Sequence, residues 1–274
     1  MAAAYELVIK PRRGWQPLDW KEAFAHRELL GFLVWRDIKV RYRQTLLGGL
    51  WAVLQPLIAM AIFTFVFNRL AGVKSDGPPY PLFAFAGLAP WTFFANAISA
   101  SSNSLISNQQ LVSKVYFPRV FIPIGAVAAL LVDLSFSLVL LFALMVKYHW
   151  SLTYHALLLP LFIASAFLAA SGIGLAFSAW NVSFRDVKYL VPFLIQMGIF
   201  VTPVIYPLHY VPPRFQPLLG LNPMTGVVLG FRGVLLGSPV NRGVVELSLV
   251  MSVLLFLGGL FIFRRIERRF ADII

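Results

Sequence analysis

Long stretches of this chain carry no charge, and they recur at a spacing that a bilayer would set. Leu46 to Phe67 has no Asp, Glu, Lys, Arg or His, nor do Pro81 to Ile106, Ala156 to Trp180, Tyr189 to Ile205 and Leu247 to Phe263. Val120 to Val146 has only Asp133. A spanning helix needs about 20 mostly apolar residues. Six such runs, in a chain 59% hydrophobic and 12% charged, exclude a soluble globular core. The expected fold is all-α and integral to a membrane, with six transmembrane helices.

Six spans use most of the 274 residues, so one membrane domain with short loops is expected. Residues 1–45 read as a cytoplasmic lead-in and interface helix, 46–267 as the spanning domain, and 268–274 as a cytoplasmic tail. There are no cysteines, which excludes disulfides, thiolate metal sites and cysteine nucleophiles.

The net charge of +12 would point to nucleic acid in a soluble protein. Its distribution points to topology instead, and no nucleic acid is expected as a partner. Nine of the 23 Lys and Arg residues precede position 46. Lys114 and Arg119, Arg185 and Lys188, and the tail arginines Arg264, Arg265, Arg268 and Arg269 fall on the same side if the spans alternate. The positive-inside rule then places both termini in the cytoplasm. An even number of spans requires the termini to share a side, so count and charge agree. A polar lead precedes the first apolar run, which argues against a signal peptide.

Asp19 and Glu22 read as an N-cap and its partner three residues on. The helix that follows carries Leu30, Val34, Ile38 and Tyr42 as an apolar stripe, with Arg27, Arg36, Lys39 and Arg43 off it. Such a helix suits the inner membrane surface, with Trp35 as an anchor. It serves either as an anchor alone or as a contact for a cytoplasmic partner. Pro56 should kink the first span. The second turns polar at its inner end, from Asn96 through Ser104, which calls for protein or water rather than lipid around it. From Tyr206 to Gly243, six prolines and several glycines interrupt an apolar run. This region reads as two short helices that dip in from outside and return near Asn222-Pro223. Broken backbone at membrane depth needs cover from protein or a wet cavity.

No phosphate-cradling loop of the G-x-x-x-x-G-K-[ST] type is present, so the chain has no means of hydrolysing ATP by itself. His26, His149, His155 and His209 are scattered, and neither a metal site nor a catalytic set is expected. Asp133 is the one acid in mid-span, and intramembrane carboxylates are functional candidates. It serves either proton coupling or structure, and no basic partner for it is apparent in the sequence. Glu246 falls near the outer end of the last span, where solvent reaches it.

Five elements carry a resemblance. They are Arg41 to Gly48 with Leu50-Trp51 and Gln55-Pro56; Lys114-Val115-Tyr116-Phe117-Pro118; Asn181 to Val187 with Leu190-Val191-Pro192; Thr202 to Tyr206; and Leu221-Asn222-Pro223-Met224. In this order and topology the chain resembles the transmembrane permeases of bacterial ABC exporters for lipid-linked polysaccharides. The O-antigen exporter permeases (Wzm type) and the teichoic-acid exporter permeases belong to that family.

The resemblance implies a non-enzymatic transport subunit in the bacterial inner membrane, working as a homodimer with two copies of a cytoplasmic ABC ATPase. ATP and Mg would be bound by that partner, with no cofactor in this chain. The exported polymer would be O-antigen, capsule or teichoic-acid-like. The inner loops supply the ATPase-coupling candidates Lys114, Phe117, Arg119, Phe184, Arg185 and Asp186. Candidate channel-lining residues are Trp51, Gln55, Trp91, Phe94, Asn96, Gln196 and Phe200, since sugar rings stack on aromatic faces and mid-span amides need partners. Arg41 and Arg43 are candidates to receive a lipid pyrophosphate, and Tyr206, Asn222 and Pro223 to form an outer gate. Drug or lipid export by a permease of the same build, and a proton-coupled transporter using Asp133, stand as alternatives. An enzyme acting on lipid-linked sugars would need paired acids or a metal set near an interface, and neither is visible.

Overall fold

A computed structural model describes residues 24, 26–43, 50–75, 77–114, 117–152, 154–184, 186–267 and 270. The expected helix start at Asp19 and Glu22 and the first residues of the first span lie outside them. Among the described residues the secondary structure is helical throughout. Five helices are long and apolar enough to cross a membrane.

The interface helix α1 (Arg27–Arg43) comes first. The first span joins α2 (Leu50–Phe63) to a π-helical turn at Thr64–Leu70, so its irregularity lies well beyond Pro56. The second span is α3 (Tyr80–Ser107), followed by a short inner helix α4 (Gln109–Lys114). The third is built from α5 (Phe121–Ala129) and α6 (Leu131–Lys147), and the fourth is α7 (Leu159–Ser183). Next come α8 (Val187–Val201), α9 (Gln216–Gly220), α10 (Pro223–Leu236) and the last span α11 (Arg242–Ile266).

Helix α3 is the centre of the bundle: 78% of its apolar stretch is buried, against 6% for the first span. Its alanines and serines and Gly87 let α7, α5, α10 and α2 pack close around it. The polar inner end is covered by protein, as expected. Ser101, Ser102 and Ser104 are buried, and Asn181 on α7 donates to the Ser102 carbonyl at 2.9 Å. The α7–α11 contact is tighter still. A Cβ on Gly259 would lie 1.9 Å from the Gly172 carbonyl oxygen, so the two backbones touch. Ser165 and Ser252 exchange a hydrogen bond at 2.8 Å across the same seam. Small residues at such contacts replace the hydrophobic driving force that lipid does not supply.

Helix α8 has 15 residues. That is roughly 22 Å at 1.5 Å per residue, short of a hydrocarbon core of about 30 Å. Its outer end runs into the irregular segment from Thr202 to Pro207. Beyond it, Pro213–Gly220 and Pro223–Leu236 meet at 106°, with the break at the expected Asn222-Pro223. The connection between α7 and α8 is short. Helix α7 continues to Ser183 and α8 begins at Val187, because Phe184 in extended backbone ends the first helix and a new one starts at once.

Candidate functional site

Two facing helices and α3 behind them enclose a groove of about 410 Å³. Helix α2 supplies Gln55, Pro56, Ala59 and Phe63; α3 supplies Leu88, Trp91, Thr92, Ala95 and Asn96; α8 supplies Ile195, Gln196, Ile199 and Phe200. Pro56, Leu88 and Trp91 are buried at its back, while Gln55, Gln196 and Phe200 are exposed at its mouth. Exposed apolar side chains flank that mouth, Ile58 and Ile62 on α2 and Phe193 and Met197 on α8. The surface is thus polar amides and a hydroxyl set among aromatic rings. It can donate and accept hydrogen bonds and offer flat faces at once, without a charge of its own.

The structure gathers Gln55, Trp91, Asn96, Gln196 and Phe200, five of the channel-lining candidates, into this one groove. It separates the other two. Trp51 is 53% exposed and is not among the residues that line the groove. Phe94 is buried in the core and packs beside the Trp91 ring, with centroids 5.7 Å apart, so it supports the groove rather than lining it.

A smaller cavity of about 20 Å³ adjoins the groove through Gln55, Thr92 and Asn96, and Asp133 and Ser137 close it. Asp133 has the basic partner that the sequence did not reveal. Arg41 Nη1 donates to its carboxylate at 3.2 Å, and the Tyr42 hydroxyl donates to the other oxygen. Burial first, and then the bond to Asp133, push the Tyr42 phenol above its ordinary range, so it remains a neutral donor. Arg41 is therefore committed to a protein carboxylate, while Arg43 is exposed.

Beyond α8, Asn222 caps α10 by accepting from the Met224 amide at 3.0 Å, and its amide donates to Thr202 Oγ1 at 2.7 Å. Pro223 takes the first helical position, where a missing N–H costs nothing. The Tyr206 hydroxyl donates to the Phe200 carbonyl at 3.2 Å, tying the segment after α8 to the groove's own rim.

Sequence reasoning gave no role to Arg232. The side chain is 1% exposed. Its guanidinium donates to the carbonyls of Phe83 (3.0 Å), Pro203 (2.6 Å) and Val204, and lies 3.5 Å from the Phe83 ring centre. A Cβ on Gly87 would sit 2.6 Å from Nη2, so α3 is bare where the arginine lies. An arginine inside an apolar run that enters a membrane was the available signal.

The loops that hold the coupling candidates divide into buried and exposed parts. Phe117 is 5% exposed, in a cluster with Leu33, Phe121, Phe263 and Phe270, so it is a core residue and not a free knob for a partner. Its ring fills space among these neighbours instead. Arg119 donates to the Glu267 carbonyl at 3.1 Å and so holds the tail. Lys114, Phe184 and Asp186 are exposed, and Arg185 lies outside the described residues. Among the described residues no three His, Cys, Asp or Glu side chains gather where a metal could sit.

This is a multi-pass helical membrane protein with a polar and aromatic groove against its central helix. The chain belongs to the ABC-2 type transporter family, whose membrane-domain model matches residues 28–236. It is 30% identical, over 90% of its length and 95% of the relative's, to the O-antigen export system permease protein RfbA of Klebsiella pneumoniae. A protein of the same name from Myxococcus xanthus is also 30% identical, over 78% of this chain and 82% of its own. The polysialic acid transport protein KpsM of Escherichia coli is 28% identical, over 81% and 88%.

Proposed function

We propose that this chain is the channel-forming permease subunit of an ATP-driven exporter. It moves a lipid-linked polysaccharide, of the O-antigen or capsule kind, across the inner membrane. It is not itself an enzyme. The relatives named as O-antigen and polysialic acid exporters support this reading, and the groove carries it. Amides beside Trp91 and Phe200 match a sugar chain, whose rings present hydroxyls at their edges and apolar faces between them.

The working unit is a homodimer with two copies of a cytoplasmic ABC ATPase, which bind ATP and Mg. The open, apolar-rimmed mouth between α2 and α8 supports a second copy of this chain as its cover. Both termini lie in the cytoplasm, and residues 46–267 form the spanning domain between the interface helix and the tail. Lys114, Phe184, Arg185 and Asp186 contact the ATPase, while Phe117 and Arg119 brace the loops from within. Arg43 is the free basic group for a lipid pyrophosphate. Tyr206, Asn222 and Pro223 belong to the outer gate, with Arg232 holding its base.

The test is purification of the tagged protein from its native host in mild detergent. A stoichiometric ATPase that is lost on Arg185→Glu or Phe184→Asp supports the reading. A protein that comes out alone, with no ATP turnover, overturns it.

A further inference from the structure

Asp133 stands where two parts of the molecule meet. On one side it is held by Arg41 and Tyr42, both near the end of α1. On the other it faces the small polar cavity that shares Gln55, Thr92 and Asn96 with the groove. Its side chain is 15% exposed, enough shielding to make the ion pair matter and enough access for it to part.

Helix α1 rests on α5 through Leu30, Leu33 and Val34, which surround Gly125. Arg41 is eight residues past Leu33, and Asp133 is eight past Gly125. The two contacts therefore keep step, and α1 runs beside the α5–α6 span in the same direction. A shift of α1 along that span acts directly on the Arg41–Asp133 pair. Apart from Tyr42, which donates to the same carboxylate, nothing else in α1 reaches a charged group of α6 among the described bonds.

We infer that the Arg41–Asp133 pair is a releasable tether that positions the groove during transport. Closed, it fixes α1 against α6 and keeps the carboxylate occupied. Open, it leaves the carboxylate facing the groove's polar end, where hydroxyl groups of the passing sugar are the donors at hand. An equilibrium moves only if a ligand favours one state, and sugar hydroxyls favour the open one. This inference rests on the reading of the groove as the glycan path.

The chain has no native cysteine, so a pair introduced by Leu33→Cys with Gly125→Cys, whose Cβ positions lie 3.6 Å apart, links site-specifically and leaves Arg41 and Asp133 in place. Oxidation to the disulfide then holds α1 against α5 with the tether shut, and reductant releases it. Polymer export by inverted vesicles containing the whole complex is followed in each state, beside the charge-swapped pair Arg41→Asp with Asp133→Arg. The locked protein should lose export by about tenfold, in the range typical of coupling between sites, and recover on reduction. The swapped pair, which can open and close, should export better than either of its single variants.

Export by the crosslinked protein equal to that of its reduced form would show a static strut and overturn the inference. Wild-type export by Asp133→Asn would do the same. The combined variant Asn96→Ala with Gln196→Ala separates the two readings. If it exports normally, the groove reading itself fails. If it loses export while the locked tether does not, the groove stands and the tether falls.

Discussion

Arg232 Nη1 donates to the Pro203 carbonyl at 2.6 Å, and so joins the two sides of the outer segment. Pro203 follows α8, where the helix has ended and its carbonyls have no helical partner. Arg232 lies in α10, after the chain has dipped and turned. The same guanidinium reaches the Phe83 carbonyl on α3. One planar fork thus satisfies three carbonyls from two elements, a task its fixed donor geometry suits. The Tyr80 hydroxyl adds a bond to the next carbonyl, that of Ile205, at 2.8 Å.

Arg232→Ala should therefore be strongly destabilising. It leaves buried carbonyls unpaired at about 1–3 kcal/mol each. Arg232→Lys keeps the charge but not the fork and should fall between. Thermal midpoints in detergent, read by loss of the monodisperse peak on gel filtration, check the order wild type, lysine, alanine. Equal midpoints for lysine and wild type would remove the fork from the explanation.

Gly259 and its neighbour make a paired test of the α7–α11 seam. Gly259→Ala drives a methyl into the Gly172 carbonyl, whereas Gly258 has nothing within 4 Å of its Cβ position. Overpacking of this kind costs about 1–3 kcal/mol. The Gly259 variant should lose folded yield and thermal midpoint, and Gly258→Ala should match wild type.

Phe117 and Phe184 looked alike in the sequence, each an aromatic residue in an inner loop. Burial separates them, at 5% and 63% exposed. Phe184→Asp should leave the midpoint unchanged and release the ATPase on co-purification. Phe117→Asp should lower the midpoint, because a carboxylate there has no water and no partner.

The groove amides should govern export rather than folding. Gln196 is exposed at the mouth, so Gln196→Leu should leave the midpoint within error. Export should fall several-fold as polar contacts with the sugar are lost. A matched Leu194→Ala change, on α8 outside the groove lining, should export normally. Quantifying surface polysaccharide against the level of permease in the membrane checks both.

Much of this architecture was legible in the sequence because bilayers act on simple averages. Uncharged runs gave the five long spans but not the shortness of α8, and the prolines around Asn222 gave the bend at its right place. The amides at Gln55, Asn96 and Gln196 stood out because a polar group in an apolar run needs a partner. What escaped was every feature set by pairing across the chain. Asp133 looked solitary because Arg41 lies 92 positions away. The role of Arg232 left no trace because its three acceptors are backbone carbonyls, which leave no mark in residue type. Phe117 stood among the coupling candidates because loop position says nothing of the cluster that Phe263 and Phe270 bring to it from the far end of the chain.

The most direct measurement is ATP-dependent polymer movement in inverted membrane vesicles containing the co-purifying ATPase. Lipid-linked polysaccharide supplied outside should become protected from added glycosidase only with ATP and Mg, and not when the groove is blocked by Gln196→Trp. Protection that needs no ATP and instead follows an imposed proton gradient, lost on Asp133→Asn, would contradict ATP-driven export and assign transport to the mid-span acid.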